Sequence, residues 1–153
     1  MTIPALFFYL AHLQALRAIV FTVWAGMAMP PTKDSDAIAD AIVTATLMDH
    51  ENAVFGPEKT IAAMAYYSGA ESNNHIDAYS NLDAPAWGFL QQQSGLGKGD
   101  ALTQARGWLR LLAFGSRICP ASPAAPLSGG CRRAYRLADR RTHTAWRLAN
   151  LDF

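Results

Sequence analysis

The sequence has few charged residues and only two cysteines, and no segment alternates between apolar and polar residues long enough to predict a sheet. Asp, Glu, Lys and Arg make up 16% of the 153 residues, whereas hydrophobic residues make up 51%, a composition that excludes a disordered chain. Two distant cysteines without further ligands nearby do not make a zinc site. The length suits one domain with a single core.

Charge is divided unevenly along the chain. Residues 1–100 have a net charge of −6, and residues 101–153 have a net charge of +7 that comes from arginine alone, without lysine. Such a basic third can bind an anionic partner, such as nucleic acid, anionic lipid or cell-wall glycan. Alternatively, it neutralises the acidic part of the same fold. We expect the second.

An apolar segment occupies residues 3–29, interrupted by His12, Gln14 and Arg17. Arg17 argues against a simple membrane span, since a charge at the centre of a spanning helix costs about 2.5–3.5 kcal/mol. Residues 1–31 are therefore expected to be a signal or an anchor, with Ala18–Ala25 as the short apolar stretch of an export signal. The alternative is a core or interfacial helix of a protein that is not exported. Two prolines mark the boundary with the domain expected over residues 32–153.

Cys119 and Cys131 enclose a segment that is rich in proline and glycine. We predict a disulfide bond between them, which contributes about 3 kcal/mol when it closes a loop of this size. An oxidised pair fits an extracytoplasmic protein, and a reduced pair fits a cytosolic one.

Four segments outside the N-terminal region have helical spacing of apolar residues or end signals that predict a helix. The first is residues 34–48, with cap oxygens offered by Asp34, Ser35 and Asp36 and with Ile38 and Ile42 at apolar positions. The second is residues 57–71, with a proline at the start and with Ile61, Met64 and Ala65 at apolar positions. The others are residues 100–114, capped by Asp100 or Thr103 and ended by Gly115, and residues 131–148. A flexible loop is expected over residues 94–99. The predicted fold class is all-α.

The most informative motif starts at the end of the second of these helices. Glu71 and Ser72 close the helix, Ala78 and Ser80 lie in a polar loop, and a glycine, two apolar residues and a glutamine follow at residues 88–91. This order resembles the core of soluble lytic transglycosylases and of the wider lysozyme-like superfamily. The resemblance covers residues 60–92 well and residues 93–148 loosely.

The resemblance implies a small lysozyme-like helical domain with a cleft that binds peptidoglycan glycan strands. It implies that Glu71 is the catalytic acid and then the base, acting alone while the N-acetyl group of the sugar assists, without a cofactor or metal. Such an acid must stay protonated near neutral pH, which apolar surroundings favour. Six residues are expected to contact substrate: Tyr67, Ser72, Ser80, Trp87, Gly88 and Gln91. Asp77 and Asp83 are candidates for positioning a water molecule. The resemblance also implies that the protein is located outside the cytoplasm, either periplasmic or secreted, or that it is associated with a phage.

Several departures leave other functions open. Asn74 stands where the family prefers an aromatic residue. The later segment of the family that usually supplies a tyrosine to the catalytic acid is also missing. A catalytically inactive cell-wall or glycan-binding protein, or a virion structural protein, is the first alternative. A helical nucleic-acid-binding module, suggested by the arginines of residues 132–141, is the second, although no nucleic acid is the expected partner. Acid and histidine pairs at residues 49–51 and 75–77 are weak metal candidates without a known ligand spacing.

Overall fold

The computed structural model describes residues 2–81, 85–92 and 95–118. Four α-helices lie in these ranges: α1 (Ile3–Gly26), α2 (Ser35–Met48), α3 (Pro57–Ser72) and α4 (Ala101–Ile118). Single turns of 3-10 helix occur at His50–Asn52 and Gly95–Lys98, the second of them inside the segment predicted as a loop. Within the described ranges, strand is limited to β1 (Tyr79–Ser80) and β2 (Ala86–Trp87). The predicted all-α class is confirmed for these ranges, and the helix predicted over residues 131–148 lies outside them.

The predicted start signals operate at two of the helices. Pro57 is the first residue of α3, where its missing N–H costs nothing. Asp100 Oδ1 accepts the backbone N–H of Thr103 at 2.8 Å and so caps α4. This hydrogen bond lowers the pKa of Asp100 from its ordinary value, because it stabilises the carboxylate form. Of the two predicted caps, Asp100 is therefore the one that acts.

The helix ends follow the sequence less closely. α3 ends as predicted, because Asn73 adopts the left-handed conformation, with φ of +51°, and donates its N–H to the carbonyl of Gly69. The prediction that Gly115 ends the following helix is wrong, since α4 continues to Ile118. A glycine in a helix interior costs only about 1 kcal/mol, and it ends a helix only where the backbone turns left-handed.

The core lies between α1, α2, α3 and α4, and it includes the predicted apolar positions of α2 and α3. Ile38 and Ile42 of α2 and Ile61 and Met64 of α3 are fully buried. The other large residues of this cluster come from α1, from α4 and from the segment before α4: Leu16, Val20, Val23, Trp24, Phe89, Leu90 and Leu109. Residues 16–24 and residues 38–109 thus share one core across the boundary predicted at residue 31.

The two halves of α1 differ in their surroundings. In the C-terminal half, Trp24 is buried and its indole N–H donates to the carbonyl of Ala65 at 2.8 Å. Arg17, on the same half, forms ion pairs with Asp36 and Asp40 of α2. In the N-terminal half, Phe8 is 71% exposed. The expectation of a separate apolar segment therefore fits the N-terminal half, and whether the segment is removed stays a prediction.

The short hairpin had no sequence signal, because two residues cannot show a period of two. β1 and β2 are antiparallel, with Tyr79 opposite Trp87 and Ser80 opposite Ala86. The hairpin brings the chain back after α3, so that residues 88–92 pack between the polar turn at residues 73–78 and α4. It thereby positions the candidate site.

Candidate functional site

Glu71 lies in the last turn of α3, and its side chain is exposed. Two aromatic residues of the motif region are part of the core: Phe89 is fully buried, and Tyr67, a predicted substrate contact, is 8% exposed with its ring 6.0 Å from that of Trp108. This burial leaves little of Tyr67 for a sugar to contact. Glu71 therefore stands at an open helix end, next to a polar turn.

Ser72 fastens that turn to the helix. Its hydroxyl donates to the carbonyl of Ser68 at 2.9 Å and accepts the backbone N–H of His75 at 3.3 Å. The residue is 8% exposed, so its hydroxyl is engaged within the protein. Ser72, a predicted substrate contact, thus orders the backbone directly after Glu71.

Asn74 holds the turn in a different way from the aromatic residue that the family prefers there. Its side chain is buried, and its Oδ1 accepts the hydroxyl of Ser68 at 2.8 Å. Its carbonyl accepts the hydroxyl of Thr32, and the N–H of Ile76 donates to Asp34 Oδ2 at 2.9 Å. Asp34 was expected to cap α2, but its carboxylate makes this bond and no capping bond. The turn is therefore held from two sides by hydrogen bonds.

The carbonyl of Ala78 joins the two parts of the motif. It accepts the backbone N–H of Gly88 at 2.8 Å and the side-chain amide N–H of Gln91 at 3.3 Å. The same amide also donates to the carbonyl of Gly88 at 3.0 Å, and Gln91 has a φ of +49°. The loop after Glu71 and the glycine–glutamine turn are consequently one hydrogen-bonded unit, with Gln91 half-buried at its edge.

Gly88 has a structural role that differs from the predicted one. The sequence suggested that its missing side chain lets a glycan approach, but the residue is buried and has a φ of +83°. A Cβ there would overlap Gln104 Oε1 and lie 2.6 Å from the carbonyl oxygen of Gly97. The space beside Gly88 therefore belongs to the protein interior and not to a sugar.

Gln104 of α4 is the residue that the sequence analysis missed. It is 1% exposed, and its Oε1 accepts the backbone N–H of Phe89 at 2.9 Å. Its amide N–H groups donate to the carbonyls of Ile76 and Gly99, at 3.3 and 2.7 Å. One side chain thus ties both parts of the motif to α4. The only sequence signal is a glutamine directly before Ala105 on the apolar side of the helix.

A surface pair of aromatic rings lies on the hairpin. The rings of Tyr79 and Trp87 have centroids 5.8 Å apart, and Lys98 Nζ lies 4.2 Å from the centre of the Trp87 ring. Tyr79 is 58% exposed, Trp87 and Ser80 are half-buried, and Lys98 is exposed. Trp87 and Ser80 were predicted as substrate contacts, whereas Tyr79 and Lys98 were not singled out. Aromatic faces of this kind can stack on the apolar side of a sugar ring.

The remaining candidates divide into those that the structure describes and those outside it. Asp77 is exposed in the turn after α3. Asp83, Cys119, Cys131 and the arginines of residues 132–141 lie outside the described residues, so the water-positioning role of Asp83 and the disulfide bond stay predictions.

Asp49, a member of one weak metal candidate, is engaged elsewhere. It accepts two hydrogen bonds from Arg106, at 2.9 and 3.2 Å, and this raises the pKa of the Arg106 guanidinium. Among residues 2–81, 85–92 and 95–118, no three His, Cys, Asp or Glu side chains are grouped closely enough to hold a metal ion.

Comparisons with known protein families, with characterised proteins and with solved structures gave no match.

Proposed function

We propose that the protein cleaves the β-1,4 link between N-acetylmuramic acid and N-acetylglucosamine in peptidoglycan, with Glu71 as general acid and then as base. The observation that carries the proposal is the hydrogen-bonded unit around the Ala78 carbonyl. It joins the turn after Glu71 to Gln91, twenty residues further along the chain. A site that cleaves peptidoglycan must hold the glycan strand in a fixed position relative to its proton donor. The hydrogen bonds that join the turn after Glu71 to Gln91 suit this requirement.

The chemistry requires one proton to reach the glycosidic oxygen as the bond to the sugar breaks. In the proposed mechanism Glu71 delivers it, and the oxygen of the sugar's N-acetyl group attacks the anomeric carbon as the bond to the leaving oxygen breaks, so that no carboxylate nucleophile is needed. Glu71 then takes the proton of an oxygen that bonds to the anomeric carbon and displaces the N-acetyl oxygen. When this oxygen belongs to water the reaction is hydrolysis, and when it is the 6-hydroxyl of the same N-acetylmuramic acid the product is a 1,6-anhydro sugar. Tyr79 and Trp87 offer stacking faces for the glycan beside this site.

The proposal places the protein in a lysozyme-like class that acts outside the cytoplasm or in a phage particle. Because Glu71 is exposed, the bound glycan itself must shield the carboxyl from water. The same exposure favours the alternative of an inactive protein that binds cell-wall glycan, or of a virion structural protein. Both alternatives keep the aromatic surface and lack the reaction.

Release of muropeptides from purified sacculi tests the proposal. The wild-type protein should release them, and Glu71→Gln should do so about 10²- to 10⁴-fold more slowly while it keeps its fold. Glu58→Gln, in the first turn of the same helix, is the matched control and should keep full activity. Mass spectrometry of the product ends separates 1,6-anhydro sugars from reducing ends.

Three other results would decide against catalysis by Glu71. Equal rates for Glu71→Gln and wild type would remove its catalytic role. Binding of the wild-type protein to sacculi without any product would leave the inactive glycan-binding alternative. Tight binding to DNA with a steep salt dependence, and none to sacculi, would favour the nucleic-acid-binding alternative.

A further inference from the structure

The N-terminal half of α1 exposes a long run of apolar side chains. Residues 3–11 contain no polar residue apart from the hydroxyl of Tyr9, and all of them are exposed. The large side chains of this run, with their exposed fractions, are Ile3 (86%), Leu6 (45%), Phe7 (69%), Phe8 (71%), Tyr9 (49%) and Leu10 (51%). By length and composition, α1 is also apolar enough to cross a membrane, and only 17% of its apolar stretch is buried.

These side chains surround the helix on every side. Phe7, Phe8, Tyr9 and Leu10 are consecutive, and successive helical residues point about 100° apart, so the four together cover the whole circumference. A groove on a protein partner covers one face of a helix and leaves the opposite face in water. Hydrocarbon chains cover all faces at once. The distribution therefore fits lipid better than a protein surface.

Arg17 shows how far along the helix the lipid can reach. Its guanidinium pairs with Asp36 and Asp40 of α2, two side chains that are themselves largely exposed. A helix that crossed the bilayer completely would carry these charges and the packed α2 into the hydrocarbon, which is costly. The polar boundary must therefore lie before Arg17, and His12 and Gln14 mark it in the sequence.

The length of the exposed run agrees with that boundary. Residues 3–11 form about 14 Å of helix at about 1.5 Å per residue. One leaflet of a bilayer supplies about 15 Å of hydrocarbon, half of a core about 30 Å thick. The run is thus short enough to stay within one leaflet when it enters at a tilt, with Thr2 before it and His12 and Gln14 after it near the headgroups.

We propose that residues 3–11 insert into one leaflet of a lipid bilayer while residues 16–26 of the same helix stay packed on α2 and α3. α1 is then a continuous helix with two environments, and the Arg17 ion pairs lie at the membrane surface. The anchor holds the helical domain beside the bilayer. This inference is independent of the proposed glycan cleavage, because it uses no residue of that site.

Sedimentation of the full chain with vesicles of neutral phosphatidylcholine tests the anchor. The wild-type protein should partition onto the vesicles at low and at high salt, because insertion of apolar side chains needs no lipid charge. The double variant Phe7→Lys and Phe8→Lys should partition at least ten-fold less, because two lysines cannot enter the hydrocarbon. Leu111→Lys makes the same kind of change at a 58% exposed apolar residue of α4, and it should bind as wild type does.

Each contrary result overturns the proposal. Equal binding by the double variant would show that residues 7 and 8 do not insert. Binding that needs anionic lipid and disappears at high salt would assign it to basic side chains instead. Self-association of the wild-type chain without vesicle binding would assign the apolar run to a second copy. Circular dichroism of both variants checks that the helices are intact.

Discussion

Gln104 Oε1 occupies the position that a Cβ on Gly88 would need, and the two residues come from different parts of the fold. The same oxygen accepts the N–H of Phe89, directly after Gly88. Position 88 is thus restricted twice, by its φ of +83° and by the side chain against it. This contact places the candidate site turn against α4.

Gly88→Ala should destabilise the protein more than Gly56→Ala does. Gly56 has a similar φ of +85° but open space where a Cβ would be, so its substitution isolates the backbone strain, about 1–3 kcal/mol. At Gly88 the overlap with Gln104 adds about 1–3 kcal/mol of steric cost. Urea unfolding of both variants measures the difference. Equal losses of stability would mean that Gln104 does not pack against Gly88.

Gln104→Leu should lower the free energy of unfolding by at least about 1–3 kcal/mol. Leucine is of similar size, but it leaves the Phe89 N–H without its acceptor and the carbonyls of Ile76 and Gly99 without their donor. Gln14→Leu makes the same chemical change at an exposed position of α1, where an effect within about 0.5 kcal/mol is expected. Similar results for the two variants would contradict the buried hydrogen bonds.

Two truncations should separate the halves of α1. Removal of residues 2–12 takes away exposed residues and should change stability by less than about 1 kcal/mol. Removal of residues 2–28 also takes away Leu16, Val20, Val23 and Trp24, whose burial contributes about 1.5–3 kcal/mol each. Because a domain is stable by only about 5–15 kcal/mol, the longer truncation should abolish cooperative unfolding. A stable fragment from residue 29 would instead support removal of the segment as a signal.

Asp100 should contribute measurably to the loss of protein stability at acid pH. Its folded pKa lies below the ordinary value of 3.8, because the carboxylate accepts the Thr103 N–H. Its stabilising effect is therefore present above pH 3.8 and is lost as the pH falls through the folded value. Asp100→Asn keeps an acceptor oxygen and has no proton to gain, so its melting temperature should fall less between pH 5 and pH 3. Parallel pH curves for the two proteins would contradict this role.

The positions of the helices could be predicted from local patterns because each signal acts within a few residues. Ile38 and Ile42 are spaced by four, as are Ile61 and Ala65, and all four are buried where the pattern predicted. Pro57 starts α3 for a reason that depends on its own ring. Gly115 shows the limit of such signals, since a glycine ends a helix only if the tertiary structure turns the chain there.

Part of the candidate site could likewise be predicted from the sequence, and part of it depends on tertiary contacts. The motif from Glu71 to Gln91 was visible in the sequence, and the hydrogen bonds of the Ala78 carbonyl join its parts. The roles of Gly88 and Gln104 were not visible, because they depend on a contact between residues sixteen apart that no local period encodes. The exposure of Glu71 also depends on where Tyr67 and Phe89 pack.

The sequence by itself determined the helical class, most of the helix positions, the apolar N-terminal segment and the order of the motif residues, since composition, spacing and capping act locally. Only the tertiary structure decided which half of α1 is buried, which charges Arg17 pairs with and what fills the space beside Gly88. These outcomes depend on side chains from distant parts of the chain competing for the same volume and the same hydrogen-bonding groups. That competition is settled when the helices pack together.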